Sequence, residues 1–210
     1  MLGAGGIGGP LGRASLVVGL VAAVFGALAA LAGVIGSDRR PLRLVPRFAG
    51  LMVAAGIGAF VAMEWAMITR DFSLEYIQKV GSRSTPALYN FTAVWSALEG
   101  SILMWVLILV AMTAWVAVKH RKRLDDPLIG WAMAVMFIVS AFFFLLVVGP
   151  ANPFAPGPPG VTDGPGPNPL LQNHILVLFH PPILYLGYVG MTIPFAFAVA
   201  ALVTGRLGEG

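Results

Sequence analysis

The sequence predicts an all-α polytopic membrane protein with about five transmembrane helices and a Pro/Gly-rich outer loop. Three observations lead there. Hydrophobic residues make up 58% of the chain and charged residues only 10%, against roughly 25% charged in an average soluble domain. The apolar residues fall in blocks near the ~20 residues that cross a hydrocarbon core. The remaining charges gather in short loops between those blocks. Cysteine is absent, which removes disulfides, thiolate metal ligands and thiol redox chemistry and leaves histidine as the strong nitrogen ligand. The formal net charge of +4 is not a nucleic-acid signal, because the basic residues sit in inter-span loops, where they read as topology determinants.

The elements follow in order. Residues 1–14, beginning MLGAGGIGGPLGR, are glycine-rich with little to bury, and are expected to form a flexible outer N-terminus. The helical membrane domain covers 15–203. Its first span, 15–36, is rich in Ala and Gly and suited to close helix packing; spans at 48–68 and 91–118 follow, each with one carboxylate, then 127–148 and 181–203. The outer loop covers 149–180 and an inner tail 204–210. No serine-nucleophile, phosphate-loop or zinc-protease signature is present.

Orientation comes from Lys and Arg. Arg39, Arg40, Arg43, Arg47, Lys119, Arg121, Lys122, Arg123 and Arg206 lie on one side, and Arg13, Arg70, Lys79 and Arg83 on the other. The positive-inside rule places the nine in the cytoplasm, the N-terminus outside and the C-terminus inside. The stretch GPANPFAPGPPGVTDGPGPNP then lies outside. Eight prolines and five glycines in 21 residues exclude a helix and predict a semi-rigid extended spacer. The segment LLQNHILVLF after it is too short to span and is expected to lie in the outer interface.

His180 precedes Pro181 and Pro182. A residue before proline is pushed out of the helical region, so His180 is expected at the entrance of the fifth span, where the helix dipole favours neutral imidazole. Position alone leaves two readings, an interfacial hydrogen-bonding group or a metal ligand. His174 lies six residues earlier, about 240° around a continuous helix, so the pair is not expected to share a metal. His120 reads as a solvated member of a basic loop. Glu64 and Glu99 are carboxylates near the outer ends of spans, expected to face protein or water; a structural hydrogen bond to another helix suits Glu64. The five tryptophans read as interface belts and packing.

Three stretches then carry a family resemblance: DFSLEYIQKVGSRSTPALYNFTAVWSALEGSILMW, NPLLQNHILVLFHPPILYLGYVG and PFAFAVAALVTGRL. In order and spacing the chain resembles the N-terminal part of the CcmF haem lyases of the system I maturation pathway, within the wider CcmF/CcmC/CcsA haem-handling family. The resemblance implies a multi-pass inner-membrane protein that binds and transfers haem at the outer face and helps attach it covalently to apocytochrome c. It implies haem as cofactor. The partners it implies are the remaining C-terminal part of the haem lyase, a haem chaperone, apocytochrome c and other maturation subunits. The HPP histidine of the family, an axial ligand of haem iron, falls on His180. Glu99, in LEGS, is a candidate for pocket lining, and no residue is assigned as catalytic. Relatives continue into segments with further histidines, so this stretch is not expected to be an active lyase alone. The alternative class is a haem-free membrane scaffold or transporter subunit fragment, with His180 only an interfacial hydrogen-bonding group.

Overall fold

The computed structural model describes residues 6–170 and 174–206. Among them all regular structure is helical, apart from an isolated antiparallel bridge between Leu74 and Pro156. Five helical stretches are long and apolar enough to cross a membrane: Gly8–Ile35, Arg40–Thr69, Leu98–Lys119, Pro127–Val148 and Leu176–Thr204. The chain is a multi-pass all-α membrane protein. The first five residues of the expected flexible start, residues 171–173 of the outer loop and residues 207–210 of the tail lie outside the described residues.

Helix α1 (Gly8–Ile35) begins seven residues earlier than the span expected from hydropathy. The reason is packing. Gly12, Gly19, Gly26 and Gly33 recur every seven residues on one face, and a methyl group at each would overlap the side chains of Phe154, Phe144, Phe137 and Leu42 respectively. Missing side chains on α1 thus become sockets for large ones, so the glycines at the start of the helix are buried and not loose. Helix α1 packs on α2 (Val45–Thr69), which follows a short 3-10 turn at Arg40–Leu44, and on α6 (Pro127–Val148). Asp126 caps α6, its side chain accepting from the Leu128 N–H at 3.0 Å.

At the end of the bundle that carries the Pro/Gly loop, α3 (Glu75–Val80), α4 (Ala87–Thr92) and a 3-10 turn at Ala93–Trp95 precede α5 (Leu98–Lys119). The third span therefore starts at Leu98 and not at 91. Ala97 is extended (φ −137°, ψ 173°) and interrupts the helix. Hydroxyls meet the carbonyls exposed by that break: Ser96 donates to Ala93 O, Ser101 to Trp95 O, and buried Tyr76 to Val94 O at 2.7 Å.

The Pro/Gly loop is extended, and it is also pinned. Gln78 donates to Pro158 O at 2.8 Å, Arg83 Nε to Thr162 O at 2.8 Å, and the Arg83 backbone N–H to Asp163. The Glu75 N–H reaches Ala155 O, and the Gly157 N–H reaches Ser73 O. Phe154 closes the arrangement by burying its ring against Gly12. Prolines leave the loop few donors, so its carbonyls are met by side chains of the facing segment.

The fifth span is two helices in series, α7 (Leu176–Gly190) and α8 (Thr192–Thr204), with Met191 between them. Pro194 has no N–H to return to Gly190 O, which loosens the ladder at that join. This span is the peripheral one: 17% of its apolar window is buried, against 44% in each of the other four.

Candidate functional site

His180 lies inside α7, not at its entrance as the rule for residues before proline predicts. Helix α7 starts at Leu176 and continues through Pro181 and Pro182. Pro181 cannot donate to the carbonyl four residues back, Val177 O, and that carbonyl instead accepts from the Trp95 indole N–H at 2.9 Å. Proline is tolerated in a helix when the bond it removes is replaced. The replacement comes from a segment 82 residues away. Trp95 is itself held: it is 6% exposed, meets Phe91 edge-on with ring centroids 5.3 Å apart, and sits beside the carbonyls that Tyr76 holds. Burial pushes the Tyr76 phenol well above its ordinary pKa range, so it is a donor at any working pH.

The start of α7 is fastened by His174. Its Nδ1 accepts from the Leu176 N–H at 3.2 Å, and its carbonyl accepts from the Val177 N–H at 3.0 Å. The expected interfacial segment therefore becomes a capped helix start over its last four residues. His174 precedes the helix, so the helical-spacing reason for keeping the two histidines apart does not apply. Both line one open hollow of about 360 Å³ with Leu170, Leu176, Val177 and Pro181. Their rings differ in availability. An Nδ1 that accepts from backbone leaves the proton of neutral His174 on Nε2, whereas the exposed His180 ring has no hydrogen-bond partner among the described residues.

The other titratable residues fall elsewhere. Glu99 is in the first turn of α5 and not among the residues lining the hollow; Lys79 bridges it at 3.3 Å and Glu75 at 3.0 Å. Hydrogen bonds to Glu75 and then Glu99 hold the Lys79 ammonium above its ordinary pKa. His120 is at the opposite end of the bundle, its ring 6.0 Å from that of Phe197. Glu64 is 9% exposed, and neither carboxylate oxygen has a hydrogen-bond partner among the described residues, which corrects the expected bond to another helix. No group of three or more His, Cys, Asp or Glu gathers among the described residues, so a metal held here would need an imidazole from α7 and ligands from outside them. Trp95, read from sequence only as belt or packing, is the residue that holds the turn carrying His180. Its signal was a proline pair inside an apolar block, which demands an outside donor.

A family model described as cytochrome C assembly protein matches residues 95–207, from Trp95 through all of α7 and α8. The cytochrome c-type biogenesis protein CcmF of Pseudomonas fluorescens is 39% identical over 198 residues, which is 94% of this chain and 30% of that protein. CcmF of Escherichia coli K12 is 36% identical over the same shares. A solved structure of the cytochrome c haem lyase CcmF superposes with a TM-score of 0.83 at 32% identity, over 98% of this chain and 32% of that one. The chain spans about 30% of the length of the curated relatives it matches. With the matched region covering more than half of its residues, the chain belongs to the cytochrome c assembly protein family.

Proposed function

We propose that this chain binds and transfers haem at the outer membrane face and takes part, within a longer lyase, in covalent attachment of haem to apocytochrome c, with His180 as an axial ligand of haem iron. The observation that carries this reading is the contrast between two imidazoles in one hollow. His174 commits Nδ1 to the backbone, and His180 keeps its ring exposed and without a partner among the described residues. The donor set suits the group: imidazole is a proximal ligand of haem iron, and Leu170, Leu176, Val177 and Pro181 offer an apolar wall to a porphyrin edge.

Haem supplies the vinyl groups across which cytochrome thiols add. The residues of this chain hold and orient. His180 would hold the haem iron; Trp95 and His174 fix the helical turn that carries it. The open side of the hollow leaves access for an incoming polypeptide. A further ligand to the iron would come from outside the described residues. Glu99 acts through Lys79 in the outer segment and not in the hollow. The nine-to-four distribution of Lys and Arg supports an inner-membrane placement with His180 outward. A haem chaperone, apocytochrome c and further maturation subunits are the partners of this role.

Haem titration of the purified chain, followed by its Soret absorption, tests the ligand assignment. The wild type, His120→Ala and His174→Ala are expected to bind weakly with a one-histidine spectrum, and His180→Ala to lose it. Undiminished binding by His180→Ala would overturn the reading in favour of a haem-free scaffold.

A further inference from the structure

At the end of the bundle opposite His180, two loops distant in sequence come together around a hollow of about 600 Å³. The α1–α2 loop contributes Arg39, Arg40 and Arg43, and the α5–α6 loop contributes Arg121 and Lys122. Against these five cations stand two carboxylates, Asp38 and Asp125. Asp38 lies 4.0 Å from Arg40, and Arg39 is anchored by its Nη1 to Gly33 O at 2.9 Å. The side chains of Arg43, Arg121 and Lys122 have no ion pair or hydrogen bond among the described residues. Leu42 and Leu124, 2% and 6% exposed, are packed into the core beneath the hollow, and half-buried Pro46 lines its wall. The level of the membrane is marked nearby by Trp115, 55% exposed, with Lys119 over its ring at 4.6 Å.

Orienting a chain requires only that basic residues lie on one side, in any loop. It does not require two loops to converge on one concavity with unpaired guanidinium groups at its edge. We infer that this hollow binds the phosphate of an anionic phospholipid headgroup. Arginine forks match phosphate oxygens in pairs, basic pockets between membrane helices hold such headgroups, and the membrane level marked by Trp115 puts these cations within reach of a headgroup whose acyl chains stay in the bilayer, an anchorage that a free phosphate lacks. A soluble phosphate compound shares the charge but not the apolar part, which gives the test its second arm.

The full chain is purified in mild detergent and its retained lipid measured by native mass spectrometry and by thermal shift. The probes are phosphatidylglycerol, cardiolipin, phosphatidylcholine and inorganic phosphate. Phosphatidylglycerol and cardiolipin are expected to be retained and to raise Tm, while phosphatidylcholine and millimolar inorganic phosphate do neither. At about 1 kcal/mol per surface cation and 1.4 kcal/mol per decade, Arg43→Gln/Arg121→Gln/Lys122→Gln weakens retention roughly 100-fold. That variant leaves six basic residues against four, so the charge bias on topology persists. The milder Arg121→Gln/Lys122→Gln variant, expected to weaken retention roughly 25-fold on the same scale, serves if the triple change fails to fold. Lys79→Gln/Arg83→Gln at the other end leaves retention unchanged. Equal retention of phosphatidylcholine, unchanged retention by either hollow variant, or a full shift with inorganic phosphate alone overturns the assignment. None of these outcomes bears on His180.

Discussion

Replacing Trp95 by Phe removes one N–H and leaves most of the ring. In the structure that N–H is the donor to Val177 O, the carbonyl that Pro181 cannot serve. A buried acceptor left without a partner costs about 1–3 kcal/mol; Val177 is half-buried near the start of α7, which places this one toward the lower end, at about 1–2 kcal/mol. Loss of the indole edge against Phe91 adds a packing cost that must be separated from it. Pro181→Ala does so, because an alanine N–H at position 181 can return to Val177 O within the helix. Trp95→Phe in the Pro181→Ala background should therefore show the packing cost alone. The assay is equilibrium unfolding of the four proteins of the cycle in mixed dodecyl maltoside and SDS micelles. The expected coupling between Trp95 and Pro181 is about 1–2 kcal/mol. An identical cost for Trp95→Phe in both backgrounds would refute the idea that the indole replaces the bond missing at proline.

Gly26→Ala places a methyl group into the Phe137 ring and should cost about 1–3 kcal/mol in the same unfolding assay, with partial recovery on adding Phe137→Leu; Gly50→Ala, which meets no atom within 4 Å, should cost nothing, and equal effects would dismiss the socket description of α1. Glu64→Leu should stabilise by about 1–3 kcal/mol because it removes a buried carboxyl group without a partner; destabilisation would show that the carboxyl has a partner or task. Asp126 is pushed up by burial, but the Leu128 N–H, Arg206 and Arg123 outweigh this and hold its pKa below the ordinary carboxylate value. A depressed folded pKa contributes stability that is complete above the unfolded value of about 3.9 and is lost as pH falls through the folded value. Tm scans should show the wild type losing stability more steeply than Asp126→Asn below about pH 4, and parallel curves would remove that role.

The count and order of the spans were legible because hydrocarbon thickness acts directly on composition, as the blocks around Leu98–Lys119 and Pro127–Val148 illustrate. Their ends were not, because tertiary partners decide them. Gly8, Gly9 and Gly12 carry no hydrophobic signal and are helical and buried because neighbouring side chains, such as Phe154 at Gly12, fill the space they leave. The Ala and Gly content of the first span pointed to close packing; the seven-residue spacing of its socket glycines and their partners, from Leu42 to Phe154, emerge only in the fold. At His180 two proline rules competed. The one that excludes the residue before proline from a helix lost, and the interior prolines are accommodated because Trp95 supplies a donor for the carbonyl that Pro181 leaves unserved. The exposed His180 ring could be singled out from sequence, while the distinction between it and His174 rests on a hydrogen bond that only the fold reveals.

The most direct test of His180 as the haem-binding residue is cytochrome c attachment in cells carrying the complete maturation system, comparing His180→Ala, His174→Ala and His120→Ala with and without added imidazole. The expected result is that only His180→Ala abolishes attachment, and that imidazole, by filling the vacated axial position, restores part of it. Normal maturation without His180, or a defect of the same size that imidazole rescues in His174→Ala, would contradict the assignment.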